Sequence, residues 1–486
     1  MPSGHIKSLS KDILIYGAGN FSYSLMQLIC MPIVIREMSI SEVGAWNILL
    51  PTGLLLSALV TFGMDSSLVR FVVDKNDEQK RTIFSTGFYF VMALGLFVSF
   101  SLWGFTSQTM QLFNIPTSYS SAFWVLLAWL PGLVASQFFQ KWVQYTFQRT
   151  RFVFVIALQS VIYLFFVLYF KATDQINLQN VMLASLISVW IPGMVGLYFC
   201  RKMIGLKFEK DTLKSLLLYG APFMVLAFGI NLIFSFDKYI LTRNVSPEEF
   251  AIYSQAFRIA AIFSMIVSSF NFAFGPFSLS ILKNDDSPTL FKKVKTYYIF
   301  FMCFIGTIFI ALGKPIIILL SGFEFIGGYK YLPIFILGYI YYGLYSFSQL
   351  GIIYSKKSYL GLYTLTAGLT MTIGLNFILA HPLQGLGTGM AFALGVLTMV
   401  LSGNLLSKKY LQIPSNTFKD GILFSTFLIF SLFFTNYFLT SDLYMDSLAK
   451  LSIATMFFGA LLFSSPFKSE SKDFRQIFST SNPNPR

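Results

Sequence analysis

The sequence predicts an all-α integral membrane protein of about fourteen transmembrane helices, in two pseudo-symmetric sets of six followed by two more. Three observations predict it. Only 12% of the 486 residues are charged while 55% are hydrophobic, and the mean hydropathy is +0.67, far from the roughly one quarter charged residues of a soluble domain. The apolar residues fall in runs of about 20 between short polar breaks, the length that crosses about 30 Å of hydrocarbon. The 35 Lys and Arg outnumber the 21 Asp and Glu, and they collect in alternate loops.

Taken in order, the apolar runs place spans near residues 13–35, 43–63, 83–104, 121–140, 152–170 and 180–200. A basic stretch with Arg201, Lys202, Lys207, Lys210 and Lys214 separates these from spans near 216–236, 251–274, 297–320, 332–354, 358–379 and 386–406. Two more, near 420–440 and 448–464, precede a polar tail. The expected organisation is a first lobe over 1–206, a second over 207–410, two additional helices over 411–465 and a disordered cytoplasmic tail over 466–486.

Short-loop Lys and Arg are retained on the cytoplasmic side during insertion. One set of alternate loops and the two ends hold 27 of the 35 basic residues, which predicts an even number of spans and both termini in the cytoplasm. The N-terminus, with Lys7 and Lys11 before a long apolar run and no small-residue cleavage site, predicts a retained first span. Because the basic residues follow topology, nucleic acid is not an expected partner; membrane lipids are.

The two sets of six resemble each other. Ile13-Leu-Ile-Tyr-Gly-Ala-Gly19 matches Leu216-Leu-Leu-Tyr-Gly-Ala-Pro222, and Ser41-Glu-Val-Gly-Ala-Trp46 matches Pro247-Glu-Glu-Phe-Ala-Ile-Tyr253, with Glu42 facing Glu249 and Trp46 facing Tyr253. Six being even, such halves share one orientation and are related by an axis along the membrane normal, which puts a substrate site between them.

No nucleophile–base pair, phosphate loop, paired carboxylates or metal-ligand cluster is present, and the two histidines, His5 and His381, stand in the tail and in a loop. No catalytic residue, cofactor or metal is therefore expected. Cys30, Cys200 and Cys303 lie singly in apolar runs, as buried inert thiols do. An ionisable side chain within a span needs a partner, water or a task, since it costs about 2.5–3.5 kcal/mol on insertion scales. Arg258 is the leading candidate, and two alternatives stay open for it. Its planar five-donor fork can grip the oxygens of an anionic group in a hydrated cavity, or it can pair with Asp237 at the end of the preceding span. Arg36 and Lys238, at span ends, are further candidate substrate contacts, with Glu37 as a possible neutraliser of Arg36. Asp65 and Arg70 bracket a cytoplasmic helix end, where contact with a lipid headgroup competes with plain solvation. Trp46, Trp103, Trp124, Tyr169, Tyr253 and Tyr329 suit an interfacial aromatic belt, some with the alternative of stacking on a ring of the substrate.

The run Lys11-Asp-Ile-Leu-Ile-Tyr-Gly-Ala-Gly-Asn20, then Met31-Pro32, Ser41-Glu-Val-Gly44 and Gly63-Met-Asp-Ser-Ser-Leu-Val-Arg70, resembles the opening of bacterial polysaccharide-repeat flippases of the Wzx, or O-antigen, type. These belong to the multidrug, oligosaccharidyl-lipid and polysaccharide exporter superfamily. Asp237-Lys-Tyr-Ile-Leu241, Ser246-Pro-Glu-Glu249 and Tyr253-Ser254 extend the likeness. It implies a V-shaped pair of lobes around a cavity in the bacterial inner membrane. The implied activity is transport of an undecaprenyl-pyrophosphate-linked oligosaccharide to the periplasmic leaflet for lipopolysaccharide or related surface polysaccharides. The lipid-linked sugar is the implied substrate, Arg258, Arg36, Asp237, Lys238 and Arg70 are the candidate contacts, and a polysaccharide polymerase and chain-length machinery are implied partners.

Three alternatives are weighed against this. A cation-coupled drug exporter would bury a carboxylate in the first lobe, but span 1 has no acid. A lipid II flippase would show more first-lobe arginine than Arg36. A membrane polymerase or ligase would carry a long outer loop, whereas the longest here, near 105–120, has about sixteen residues and no basic ones.

Overall fold

The computed structural model describes residues 25–72, 75–146, 148–205, 207–281, 287–355, 357, 359–411, 417–437, 440 and 442–463. The first motif of the resemblance, 11–20, and the expected tail, 466–486, lie outside these. Among the described residues every regular element is helical. Six expected first-half spans are seen as α1 (Leu25–Ile35, the described part of span 1), α2 (Ile40–Thr61), α4 (Asp77–Gly104), α6 (Ser120–Tyr145), α7 (Arg149–Ala172) and α8 (Leu178–Cys200), with short helices α3 (Met64–Val72) and α5 (Thr106–Leu112) between them. The second half follows as α9 (Lys210–Ile233), α10 (Phe236–Leu241), α11 (Pro247–Ile281), α12 (Ser287–Ala311), α13 (Gly313–Ser321), α14 (Leu332–Ser348), α15 (Leu350–Ser355) and α16 (Tyr359–Ser407), and then come α17 (Thr417–Asn436) and α18 (Leu443–Phe463).

Expected spans 9 and 10 are each broken once, at Leu312 and at Gln349. Spans 11 and 12 form the two arms of α16. The break is at Gln384 (φ 47°, ψ −128°), just after Pro382, whose ring cannot donate to or fit the preceding turn. The arms lie against each other, so that a Cβ on Gly395 would strike the Thr372 hydroxyl 1.8 Å away. Nine helices are long and apolar enough to span a membrane by length and composition among the described residues.

The internal repeat is visible in packing as well as in sequence. In the first half α2 and α4 pack on α6, and α6 packs on α8; in the second, α11 and α12 pack on α14, and α14 packs on α16. Both α2 and α11 open on a serine cap with a glutamate three residues on, Ser39 with Glu42 and Ser246 with Glu249, each hydroxyl accepting the glutamate N–H. The halves meet where α2 lies against α9 and α11, and where α3 and α4 lie against α9.

Lipid tails are as apolar as the helix surfaces, so association rests on close packing and on polar bonds between helices. Asn47 of α2 donates to Ser254 Oγ of α11 at 3.1 Å, Gln255 donates to Ser321 Oγ at 2.9 Å, and Tyr239 and Thr52 share a 3.0 Å bond. Such bonds contribute about 0.6 kcal/mol each. At the end that carries the basic loops, Ser67 Oγ of α3 donates to Leu216 O of α9 at 2.8 Å. Helices α17 and α18 pack on α12, and the buried Lys450 ammonium ties them together, meeting Asp446 at 2.8 Å and Phe434 O at 2.8 Å. The three cysteines are free and buried, as expected.

Candidate functional site

Arg258 lies eleven residues beyond the first residue of α11, about 16 Å along the helix at 1.5 Å per residue. The helix begins at Pro247, earlier than the apolar run near 251, because the acidic first turn, Glu248 and Glu249, precedes that run. Its side chain crosses to the first half, where the guanidinium carbon sits 3.7 Å from the centroid of the Trp46 ring of α2. A cation over an indole face gains about 0.5–2 kcal/mol.

The guanidinium borders two adjoining cavities. One, of about 330 Å³, is walled by Gln27 of α1, Trp46 of α2, Trp129 of α6, Tyr163 of α7, Ser185 of α8 and Arg258 itself. Five helices of the first half thus enclose a space whose cation comes from the second. The other, of about 260 Å³, lies where α2 meets α9, α10 and α11, and is lined by Asn47, Asn231, Ser254, Lys238 and the same arginine. No Asp or Glu lines either cavity among the described residues.

The Arg258–Asp237 ion pair left open by the sequence is not formed. The Asp237 carboxylate, fully buried, accepts from Tyr253 Oη at 2.6 Å and pairs with Lys238 at 3.3 Å. Lys238 also donates to Phe234 O at 2.9 Å and stacks 3.6 Å from the Phe257 ring centroid. Asp237 is held by Lys238 and Tyr253, and Arg258 has no carboxylate partner among the described residues. Lys238 and Arg258 are the two candidates that share one cavity wall; Asp237 stands behind them.

Arg36 and Arg70 are elsewhere. Arg36, exposed at the end of α1, donates to Leu319 O at 3.0 Å at the C-terminus of α13, and lines neither cavity. Glu37 does not neutralise it, since its carboxylate pairs with Lys171 of α7. Arg70 is exposed in the last turn of α3, with Asp65 in the first, each placed to complement the helix dipole.

The aromatic residues divide. Trp103, Trp124 and Tyr169 are exposed at helix ends, as a belt requires, but Trp46, Tyr253 and Tyr329 are buried. The reason is that Trp46 and Tyr253, equivalent in the repeat, each serve a charged group in the interior: Trp46 faces Arg258 and Tyr253 binds Asp237. Their pairing in the repeat was the available signal, because both open an equivalent helix at the surface where the halves meet. Asn47, Tyr163 and Ser185 carried no signal in the sequence.

No curated protein matches the chain in sequence. Among solved structures, a lipid II flippase, MurJ, in an inward closed conformation superposes with a TM-score of 0.73 at 14% identity, covering 93% of this chain and 99% of that one. An inward-facing multidrug resistance MATE family transporter of the MOP superfamily gives 0.65 at 14% identity over 83% and 95%. A MOP superfamily transporter from Pyrococcus furiosus, whose binding pocket is described as reversed in polarity, gives 0.60 at 15% identity over 82% and 94%. At these identities the likeness is one of fold, and it agrees with the all-helical membrane architecture expected from the apolar runs. Residues 9–282, more than half of the 486, match the family described as polysaccharide biosynthesis protein, and the chain belongs to that family.

Proposed function

We propose that this chain is a flippase of the bacterial inner membrane that moves an undecaprenyl-pyrophosphate-linked oligosaccharide repeat unit from the cytoplasmic to the periplasmic leaflet by alternating access. The halves 1–206 and 207–410 act as rocking lobes, 411–465 as accessory helices, and both termini lie in the cytoplasm. One observation carries this: a cation inside an apolar helix, Arg258, borders two cavities between the halves that no carboxylate lines, and its guanidinium has no acidic partner among the described residues. A site with cations and no carboxylates suits an anion, and the aromatic walls Trp46, Trp129 and Tyr163 suit sugar faces. A cationic drug would meet repulsion in the same space. The pyrophosphate would be held at Arg258 with Lys238 on the adjoining wall, while the polyprenyl chain stays in lipid. Surface polysaccharide assembly, with a polymerase and chain-length machinery downstream, is the setting this requires.

The deciding experiment replaces Arg258 by Ala and by Lys and measures surface-polysaccharide output at matched protein levels. Loss in the Ala variant, with at most partial recovery in the Lys variant, is expected, since an ammonium cannot bind two oxygens side by side. Full output from both variants overturns the proposal. The fold shared with a lipid II flippase favours a second reading, that peptidoglycan precursor is the cargo. Rescue of growth in cells depleted of their lipid II flippase, without rescue of a polysaccharide-export mutant, would decide for it.

A further inference from the structure

The repeat makes a prediction that the structure meets at the end opposite the basic loops. Aligning Glu42 with Glu249 and Trp46 with Tyr253 sets an offset of 207 residues, and at that offset Arg36-x-x-Ser39-x-x-Glu42 overlays Arg243-x-x-Ser246-x-x-Glu249. The same offset carries the end of α4, Gly104, onto the end of α12, Ala311, and Leu112 at the end of α5 onto Leu319 in the last turn of α13. Arg36 of the first half donates to Leu319 O of the second at 3.0 Å. Arg243 of the second half donates to Leu112 O of the first at 3.2 Å. Donor and acceptor are exchanged between halves, and both members of each pair are related by the one offset. Chance contact between surface side chains does not produce this reciprocity.

We infer that Arg36 and Arg243 are the two arms of a pseudo-two-fold latch that holds the transporter shut at the end opposite the basic loops. The inference rests on the alternating-access part of the proposed function. The chemistry suits a gate. The last carbonyls of a helix lack intrahelical partners and carry the negative end of its dipole, so a guanidinium is an apt cap for them. Both arginines are exposed, so the bonds are weak enough to break in every cycle and water can replace them. Nearby, Asn114 Nδ2 donates to Thr242 O at 3.0 Å, also from first half to second and next to Arg243. The bond acceptors are backbone atoms, so the latch needs particular donors but no particular side chain opposite them.

The test reads gate opening without reference to cargo. A cysteine is placed at Ser264, in the wall of the larger cavity, and its reaction with a membrane-impermeant maleimide is timed in intact cells and in inverted vesicles. Arg36→Ala and Arg243→Ala are each expected to raise labelling from the side opposite the basic loops about threefold, and the double variant about tenfold, as two exposed bonds acting independently would. Arg36→Lys and Arg243→Lys, which keep one donor and the charge, should lie between. Labelling of the double Ala variant equal to wild type at equal protein level overturns the latch, as does an equal rise from both sides, which would report loosened packing instead. Either result leaves the Arg258 measurements untouched, so failure of the latch and failure of the proposed cargo are told apart.

Discussion

Gly220→Ala should part the two halves at the end that carries the basic loops. Gly220 of α9 faces the turn between α2 and α3, where Phe62 (φ 49°) and Gly63 (φ 66°) are both left-handed. A Cβ at position 220 would stand 2.5 Å from Phe62 O and 2.9 Å from Ser67 Oγ, whereas real Cβ atoms essentially never approach a heavy atom closer than 3.0 Å. The nearest obstacle is a backbone carbonyl, which no rotamer change can move. The helices must therefore part by at least about 0.5 Å, stretching the 2.8 Å bond from Ser67 Oγ to Leu216 O. Inserting a methyl group into tight packing costs about 1–3 kcal/mol. If the cost falls only on the state in which this end is shut, the open population rises by a factor of about 5 to 150. The assay is maleimide labelling of Leu216→Cys, which is fully buried in the contact, in inverted vesicles; the native Cys30, Cys200 and Cys303 are buried and should stay silent. Faster labelling is expected, with labelling from the opposite side unchanged. A lowered melting temperature with no change in labelling would refute the reasoning, because the contact would then be packing and not a gate.

Two further outcomes follow from the site. Trp46→Phe keeps an aromatic face under Arg258 and removes an indole N–H that is buried without an acceptor among the described residues, so detergent-solubilised protein should melt no lower than wild type and retain most polysaccharide output. Trp46→Leu, which removes the ring, should lose up to about 2 kcal/mol of cation–π stabilisation and most output; equal behaviour of the two variants would contradict the stacking role. Asp237→Asn leaves the Lys238 charge buried and uncompensated, at about 3–5 kcal/mol, whereas Asp237→Asn with Lys238→Met removes both charges and should recover most of that stability. A double variant as unstable as the single one, by fluorescence-detected size exclusion on heating, would show that the pair is not coupled.

The sequence by itself determined the helical class, where the apolar runs lie, the basic asymmetry of the loops and the duplication, down to the residues Glu42 and Glu249 that begin equivalent helices. Those properties are local: hydropathy over about 20 residues and charge in short loops can be read without knowing what packs on what. The single Arg258 was visible for the same reason, as a cation in an apolar run. Its neighbours were not. In a soluble helix the polar face tells which side looks inward, but these helices are apolar on the lipid side and the protein side alike, so the rotation of α2 and α11 about their axes left no mark in the sequence. Only the tertiary structure decided that Trp46 turns inward to meet Arg258 instead of joining the interfacial belt, that Asp237 is held by Lys238 and Tyr253, and that Arg36 reaches Leu319 across the halves. Each of these is a choice among partners far apart in the chain, and it is fixed by how whole helices pack.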